Sequence, residues 1–417
     1  MTDVFQKNDL IEPMQMACDW LSDIAQIKHK KIADEGDNVA SLFKYDDYRG
    51  ALKGEYLPAY KMWSDFCPIW HTGQAVVALL EAYKILKDEK LITSAKAGVD
   101  FIMRNRNTDK SSDDYGLIYA YEGSQGFLNT SAIIESLSAL IDFSQYSGDN
   151  SYLQAAEDVC NWIVKKMWRE DKSLFIDLYK NGEVVPSAYR GDELGRPLAD
   201  DAIFLKVGRI CKNDRLVEIF YKVLARLIKD ENPAGNWVKY EPNDVRTGKI
   251  HPRHAYWWGL PFLDAYLDSK DERYLQTAER AAMWYVKAQR TDGGIIRPTY
   301  LDFNTNSFGH ATSGSACAVK FWCRMWAQTQ NQHWLEPIKK GIDFCLKMQM
   351  KTPKDSNLKG GIIEKIIMPN QSFPFPSVSS FGVKPKNSDD SLIYIRDLGT
   401  IFFVQAICEV FKQGLVS

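Results

Sequence analysis

Histidine is scarce in this chain, and most common catalytic signatures are missing from it. The 417 residues include 6 His and 8 Cys, with no C-x-x-C pair and no H-E-x-x-H helix, which argues against a metal centre. No G-x-G-x-x-G follows a strand, and neither G-x-x-x-x-G-K nor G-x-S-x-G occurs. We therefore expect no metal, nucleotide or other cofactor, and we set aside serine-hydrolase chemistry.

The chain also lacks a strong charge of either sign and any long apolar run. Its net charge of -2 argues against a nucleic-acid or anionic-membrane partner. No stretch reaches the roughly 18 consecutive apolar residues of a membrane span, and no basic segment followed by an apolar core predicts a signal peptide. The scattered cysteines are typical of buried free thiols in a reducing compartment. These observations favour the cytoplasm and leave the oligomeric state open.

A polar junction between two helical segments recurs along the chain. Its period is about 60 residues, marked by the leucines that follow each junction: Leu91, Leu153, Leu216, Leu275 and Leu335. An apolar segment enters each junction and a more amphipathic one leaves it, as in 73–83 followed by 92–102. The pattern predicts antiparallel helical hairpins in a repeat fold.

Twelve helices in six hairpins predict an all-α fold, an (α/α)6 barrel with an inner and an outer ring. We expect the inner helices to begin near residues 72, 129, 199, 254, 311 and 398, and the outer ones near 91, 152, 214, 274 and 334, with 10–27 as the sixth. Neither ring can bury its faces alone, so residues 1–417 are predicted to form one domain. An open superhelical stack is the alternative, but the final helix is strongly apolar, whereas terminal repeats of such stacks usually carry polar caps.

The connections from each outer helix to the next inner helix are long. Three of them contain glycine-rich turns, at 115–118, 292–296 and 359–363, which we expect to cover the face where the inner helices begin. Long ordered loops on one face of a scaffold are where binding and catalytic residues usually lie.

Aligning the inner-helix starts brings polar and aromatic residues to one rim. Helix N-termini present free N–H groups and a partial positive charge, so six converging starts favour a carboxylate or another anion. The predicted substrate-binding residues on this rim and its loops are Trp70, Gln74, Asn129, Arg196, His251, Arg253, Trp257, Trp258, Arg297, Tyr300 and His310.

The segment 251–261 concentrates these residue types within a few turns. We predict that His254 and Tyr256, with His71 across the rim, transfer protons, and that Arg253 holds the substrate carboxylate. The partial charge at the helix start should keep His254 neutral, and Trp257 or Trp258 would stack on a sugar ring. The alternative is an aromatic packing knot without a ligand.

Several candidates also have a purely structural interpretation. Asn129 is a standard helix cap, and Asp200 and Asp201 open a helix where a carboxylate favours the dipole in any case. His71 could be a core histidine, and Gln74 one turn later is better suited to support than to reaction. The two aspartates also point in different directions on a helix, which argues against a two-carboxylate hydrolase.

The segment 70–95, with its T-G-Q start, A-Y ending and K-D junction, resembles the helical hairpin of the glucuronyl C5-epimerase catalytic domain and related polysaccharide-biosynthesis proteins. The layout is also similar to that of unsaturated-uronyl hydrolases, whose six-hairpin barrels place a catalytic aspartate at an inner-helix start. The local match to that aspartate is at 199–203, which contains Asp200 and Asp201. The resemblance implies a carbohydrate-active enzyme with an oligosaccharide or polysaccharide substrate.

Three functions remain in view. The first is a uronate-directed epimerase or lyase, because proton abstraction at C5 needs a near-neutral base, a cation and an acid, and the rim is rich in His, Arg and Tyr. The second is a glycoside hydrolase of the unsaturated-uronyl type that uses Asp200 or Asp201. The third is a non-catalytic glycan-binding protein of a polysaccharide-assembly system.

Overall fold

The structure, a computed structural model, describes residues 4–31, 38–40, 45–58, 61–121, 126–185, 195–305, 311–367 and 392–417. Its twelve main helices within these ranges are α1 (Lys7–Asp19), α2 (Pro68–Leu86), α3 (Glu89–Arg104), α4 (Thr130–Ser147), α5 (Asn150–Met167), α6 (Ile203–Cys211), α7 (Asp214–Asp230), α8 (Leu260–Ser269), α9 (Glu272–Ala288), α10 (Thr312–Thr329), α11 (Leu335–Lys347) and α12 (Asp397–Lys412). Short 3-10 turns precede α6 and α11, and π-helical turns extend α1 (Trp20–Ala25) and precede α8 (Ala255–Gly259).

The recurring junction is a two-residue device that ends one helix and begins the next. At five junctions the first helix, which is α2, α4, α6, α8 or α10, ends on a residue with positive φ, and the next residue caps the following helix with its side-chain oxygen. Asp88, for example, follows Lys87 (φ 57°) and accepts from the Lys90 backbone N–H at 3.0 Å. The same order of left-handed residue and Asp or Asn cap occurs at 148–149, 212–213, 270–271 and 330–331. These caps satisfy backbone groups that a helix start leaves open, which explains the repeat in the sequence.

The even-numbered helices form the inner ring, and α12 packs against both α10 and α2, which closes it. Helix α1 packs against α12 as the sixth hairpin, and the terminal segments meet where the Val4 N–H donates to the Leu415 carbonyl at 3.1 Å. The predicted closed (α/α)6 barrel is confirmed, and the helices begin within about one turn of their predicted starts when the 3-10 and π-helical turns that lead into them are counted. The inner helices are buried over most of their length.

Short strands occupy the connections at the end of the barrel where the inner helices begin. They are β1 (Asn38–Ala40), β2 (Glu55–Leu57), β3 (Met62–Ser64), β4 (Leu128–Asn129), β5 (Trp168–Arg169), β6 (Leu174–Phe175), β7 (Leu178–Lys180), β8 (Glu183–Val185), β9 (Lys249–Ile250), β10 (Thr299–Tyr300), β11 (Lys365–Ile367) and β12 (Leu392–Arg396). The largest sheet has the order β1–β3–β2–β12–β11, with β1 and β3 parallel and the other pairs antiparallel. Strands β4 and β12 run directly into α4 and α12, and thereby fix where those helices begin.

A repeated backbone contact joins consecutive outer helices. In five connections a glycine with positive φ lies so close to the next outer helix that a Cβ would overlap a main-chain carbonyl there: Gly50 on α3, Gly116 on α5, Gly235 on α9, Gly293 on α11 and Gly360 on α1. In the remaining connection Ser173 has φ 51°, and the neighbouring Lys172 carbonyl accepts from Arg226 of α7 at 3.2 Å. The contacts run around the whole outer ring and close it on α1.

Candidate active site

The starts of the inner helices converge at one end of the barrel, as the sequence predicted. Trp257 of the π-helical turn lies 6.1 Å from Trp70 of α2, ring centroid to centroid, and its Nε1 donates to Glu135 Oε2 of α4 at 3.1 Å. Arg253 Nη1 donates to Ser313 Oγ of α10 at 3.1 Å. We call the residues brought together here the rim cluster: Trp70, His71, Glu135, Arg196, Asp200, Arg253, His254, Trp257 and Asp397.

Trp257 is the centre of the rim cluster. The Arg253 guanidinium lies 5.0 Å from its ring and 5.2 Å from the ring of Trp70. The Arg196 guanidinium lies 5.5 Å from the Trp257 ring, and His251 stacks on it at 5.2 Å with an interplanar angle of 11°. Cation–π contacts of this kind hold both the ring and the arginines in place.

Trp258 is fully buried and packs against aromatic residues of the connection between α7 and α8. It meets Trp237 at 6.2 Å and Tyr240 at 5.6 Å, both edge to face. Of the two tryptophans predicted to stack on a sugar, Trp257 has both Arg196 and Arg253 beside its ring, whereas Trp258 has Arg196 at 5.9 Å. The His254 ring lies 4.2 Å from the Trp258 ring, centroid to centroid.

His254 is fully buried, and neither of its ring nitrogens has a hydrogen-bond partner among the described residues. Burial lowers its pKa well below the usual value, and the positive charges of Arg196 and Arg253 act in the same direction. A neutral imidazole with an unused lone pair is the form that a general base requires.

Asp200 and Asp201 lie in the 3-10 turn before α6, and their environments differ. Asp201 (φ 50°) and Ala202 (φ 52°) are both left-handed, a conformation that costs about 1–3 kcal/mol for a non-glycine residue. Asp201 accepts from Gln74 Nε2 at 3.0 Å and from Ser138 Oγ at 3.1 Å. Neither carboxyl oxygen of the fully buried Asp200 has a partner among the described residues.

The environment of Asp200 makes it a weak acid. Burial raises its pKa to about 7, with Arg196 opposing the shift and Asp201 adding to it. Asp200 is therefore largely protonated below neutral pH and can give up a proton near it. Of the two adjacent candidates, Asp200 has the properties of a reactive group, whereas Asp201 is held by its neighbours.

His71 is paired with Asp397, the first residue of α12. His71 Nδ1 contacts Asp397 Oδ1, and both side chains are fully buried. The Gly54 backbone N–H donates to Asp397 Oδ2 at 3.1 Å. Burial lowers the pKa of His71 and raises that of Asp397, because it favours the neutral form of each.

Arg253, predicted to hold a carboxylate, is tied to the barrel by one side of its guanidinium. Ser313 Oγ accepts the hydrogen bond from Arg253 Nη1. The same hydroxyl donates to Glu364 Oε1 at 2.6 Å. The Arg253 Nε is buried without a hydrogen-bond partner among the described residues. One donor of this cation is thus available inside the cluster.

The other predicted residues lie at different depths. Tyr256 lies below the rim, with its ring 5.7 Å from Lys320 Nζ and 6.0 Å from Phe402, and burial raises its pKa well above the usual value. Asn129 caps α4, accepting from Ser131 N at 2.9 Å, as its structural interpretation predicts. Tyr300 pairs with Lys249 across β9 and β10, and Arg297 adds positive charge near His251 and His254. His310 lies outside the described residues.

Three acidic residues of the site were not predicted: Glu135, Glu364 and Asp397. Burial raises the pKa of Glu135 well above its usual value, and the nearby Asp200 and Asp201 act in the same direction. Its signal in the sequence is a lone acidic residue in the first turns of an otherwise apolar inner helix. Asp397 stands at one of the aligned helix starts, whereas Glu364 has no comparable signal.

Two other kinds of site are absent from the described residues. No group of three or more His, Cys, Asp or Glu side chains there could hold a metal ion. None of the helices in the described part of the chain is long and apolar enough to cross a membrane.

Comparison with known proteins places the chain by its fold. No protein-family model matches the sequence, and no curated protein matches it. The structure is similar to an unsaturated glucuronyl hydrolase specific for heparin (TM-score 0.65, 12% identity, 98% of this chain and 100% of the other) and to a D-mannose isomerase (0.64, 12%, 98% and 98%). It is also similar to a sugar epimerase from a ruminal bacterium (0.63, 13%, 97% and 99%). The chain thus has the fold of these (α/α)6 barrels over nearly its whole length.

Proposed function

We propose that this protein is a carbohydrate-active enzyme that acts on a uronate-containing oligosaccharide or polysaccharide and transfers the proton at C5, as an epimerase or a lyase. The observation that carries the proposal is the pair His254 and Asp200. Both are buried without hydrogen-bond partners among the described residues, and Arg196 acts on the pKa of each. Near neutral pH they supply a neutral base and a carboxylic acid in one cluster.

The chemistry follows from these protonation states. A ring nitrogen of His254 takes the C5 proton, and the electron pair of the broken C–H bond moves into the uronate carboxylate. The guanidinium groups of Arg253 and Arg196 stabilise the charge that develops there. In an epimerase the Asp200 carboxyl returns a proton to the opposite face of C5. In a lyase the electron pair forms a C4–C5 double bond and expels the O4 substituent, which takes the Asp200 proton.

His71 and Tyr256 remain candidates for the second proton transfer. His71 has its Nδ1 against Asp397, so only Nε2 is available to a substrate. Tyr256 is a weaker acid than Asp200, because burial raises its pKa. Asp200 is therefore the better partner for His254.

A second candidate function is hydrolysis of an unsaturated uronyl sugar by Asp200 alone. The favouring observation is the pKa of about 7, which allows the protonated carboxyl to add a proton to C4 of the double bond and the resulting carboxylate to take one from the water whose oxygen bonds to C5. The hemiketal formed at C5 then opens the ring, and the hemiacetal left at C1 releases the O1 substituent. One of the structurally similar proteins is an unsaturated glucuronyl hydrolase. The two candidates differ in whether His254 is required.

Incubation with a panel of saturated and unsaturated uronate oligosaccharides in deuterated water separates the outcomes. Deuterium at C5, seen by NMR, identifies an epimerase, new absorbance of an unsaturated uronate identifies a lyase, and loss of that absorbance identifies a hydrolase. His254→Ala and Asp200→Asn are compared with His333→Ala and Asp214→Asn, matched changes at exposed positions. Glycan binding without turnover of any substrate would contradict an enzymatic function and favour a binding protein.

A further inference from the structure

A chain of hydrogen bonds crosses the barrel axis below the rim cluster. Lys320 Nζ of α10 donates to Gln405 Oε1 of α12 at 2.8 Å. Gln405 Nε2 donates to Gln74 of α2, both to its main-chain carbonyl at 3.0 Å and to its Oε1 at 3.2 Å. Gln74 Nε2 donates to Asp201 Oδ2 at 3.0 Å and to the Glu135 carbonyl at 2.8 Å. This network of hydrogen bonds thus joins α10, α12 and α2 to the turn that carries Asp200.

Lys320 fixes the direction of every hydrogen bond in this network. An ammonium group can only donate, so Gln405 must turn its oxygen to Lys320 and its NH2 to Gln74. Gln74 must then turn its oxygen to Gln405 and its NH2 to Asp201, which accepts. Burial opposes the charge on Lys320, but Tyr256, Glu81 and Asp201 together raise its pKa above the usual value, so it stays a donor.

We propose that the Lys320–Gln405–Gln74 chain is a positioning device that holds Asp201 in its left-handed turn and thereby aims the Asp200 carboxyl into the rim cluster. Ser138 of α4 holds the same Asp201 oxygen from a second side. The fixed donors at this oxygen compensate for a strained turn in which two consecutive residues have positive φ. The inference rests on the proposed function only in naming Asp200 as the acid.

Reversing the polarity of one amide tests the device. In Gln405→Glu the new carboxylate accepts from Lys320 and also faces Gln74, whose amide must turn over and place its oxygen against Asp201 and the Glu135 carbonyl. We expect kcat to fall by about 10- to 100-fold, because a displacement near 1 Å has effects of this size, with a smaller change in KM. Gln276→Glu, the same substitution on the exposed face of α9, is the control.

A second substitution should restore what the first one removes. Asp201→Asn provides an NH2 group that can donate to the turned Gln74 oxygen. We therefore expect the double variant Gln405→Glu/Asp201→Asn to have a higher kcat than Gln405→Glu alone, which is coupling between sites joined by one network. A role in folding alone would give losses that add, and thermal unfolding monitored by circular dichroism shows whether each variant is folded.

The titration of Asp200 provides a measurement that needs no substrate. Carboxyl 13C NMR of aspartate-labelled protein follows it, with Asp200→Asn identifying its signal. The groups that act on this carboxyl are Arg196, Asp201, Asp177 and Glu135, and all four are retained in Gln405→Glu. The new carboxylate can raise this midpoint by its charge alone, so the uncharged variant Gln405→Leu is measured beside it. A shifted midpoint in both Gln405→Glu and Gln405→Leu, absent in Gln276→Glu, supports the positioning role.

Failure of the positioning role and failure of the proposed function give different results. If Asp200→Asn keeps full turnover, Asp200 is not the acid, and the titration alone decides whether the chain positions it. If Asp200→Asn loses turnover while Gln405→Glu keeps both its kcat and the Asp200 midpoint, the positioning role is wrong and the proposed function stands.

Discussion

Buried polar groups on the barrel axis, below the rim cluster, differ in their hydrogen bonding from those within the rim cluster. On the axis, ammonium, amide and guanidinium groups meet partners: Lys320 with Gln405, Gln74 with Asp201, and Arg324 with Asp264 at 2.8 Å. In the rim cluster, His254, Asp200 and the Nε of Arg253 are buried without partners among the described residues. An unpartnered buried polar group costs about 1–3 kcal/mol. Tyr256 Oη and Glu81 Oε2, near Lys320, also lack a hydrogen-bond partner among the described residues, but the rim cluster brings a base, an acid and a cation together in one place. It is therefore the part of the interior that offers a site for a polar ligand.

The largest effect is expected from breaking one of the pairs on the barrel axis. Asp264→Ala leaves the Arg324 guanidinium, 21% exposed, without its carboxylate, and we expect the free energy of unfolding to fall by about 3 kcal/mol. Asp268→Ala, one turn later in α8, removes a partner of the more exposed Arg209 and should cost about 1 kcal/mol or less. Urea unfolding measures both, and equal losses would remove the contrast between interior and surface pairs.

Removing an open group of the rim cluster should affect turnover. For His254→Ala we expect kcat to fall by about 100-fold or more, since a general base contributes at least that much. No hydrogen bond within the described part of the chain is lost in this variant, so its hydrogen-bonded scaffold stays intact. This prediction is tested by measuring kcat on the substrate that the oligosaccharide panel identifies. An unchanged kcat would mean that the base is elsewhere, with His71 the next candidate.

The raised pKa of Asp200 makes the free energy of unfolding depend on pH. Its folded-state pKa of about 7 lies above the unfolded value of about 3.9, so the folded state binds the proton more tightly. The stability from this proton is fully present below the unfolded pKa and is lost as the pH rises to about 7, by about 2 kcal/mol between pH 5 and 7. Asp200→Asn should remove that loss and be more stable relative to the unaltered protein at pH 8 than at pH 5. Urea unfolding at the two values decides it, and a pH-independent difference would contradict it.

The smallest effect is expected at Arg253. In Arg253→Lys the charge stays but the planar group that donates from Nε is lost, so we expect KM to rise by about 10-fold with little change in kcat. Steady-state kinetics are compared for a uronate and for the matching uronamide, which lacks the negative charge of the carboxylate. An equal rise in KM for both substrates would argue against a carboxylate at this position.

The sequence predicted the fold well because its signals are local. Each junction contains both the residue that ends one helix and the cap that begins the next, within two positions such as Lys87 and Asp88. The closed ring followed from the apolar final helix, which packs between α10 and α2. These features need no knowledge of distant contacts.

The site was only partly predictable, because its pairings join distant elements. Aligning helix starts found His71, Asp200 and His254, but Asp397 meets His71 only when the last inner helix closes the ring. Similarly, the difference between Asp200 and Asp201 depends on Gln74 and Ser138 from two other helices. No residue spacing indicates which of two adjacent carboxyls will be held and which will stay open.

The glycine contacts around the outer ring determine which positions of the sequence are restricted in residue type and which can change. Because a missing side chain on one partner and a main-chain carbonyl on the other make each contact, only one position per contact is restricted in residue type. The exposed faces of the outer helices are free to exchange residues without loosening this ring. Five of the six contacts around the outer ring are thus made by backbone atoms, and they can persist while the side chains around them change.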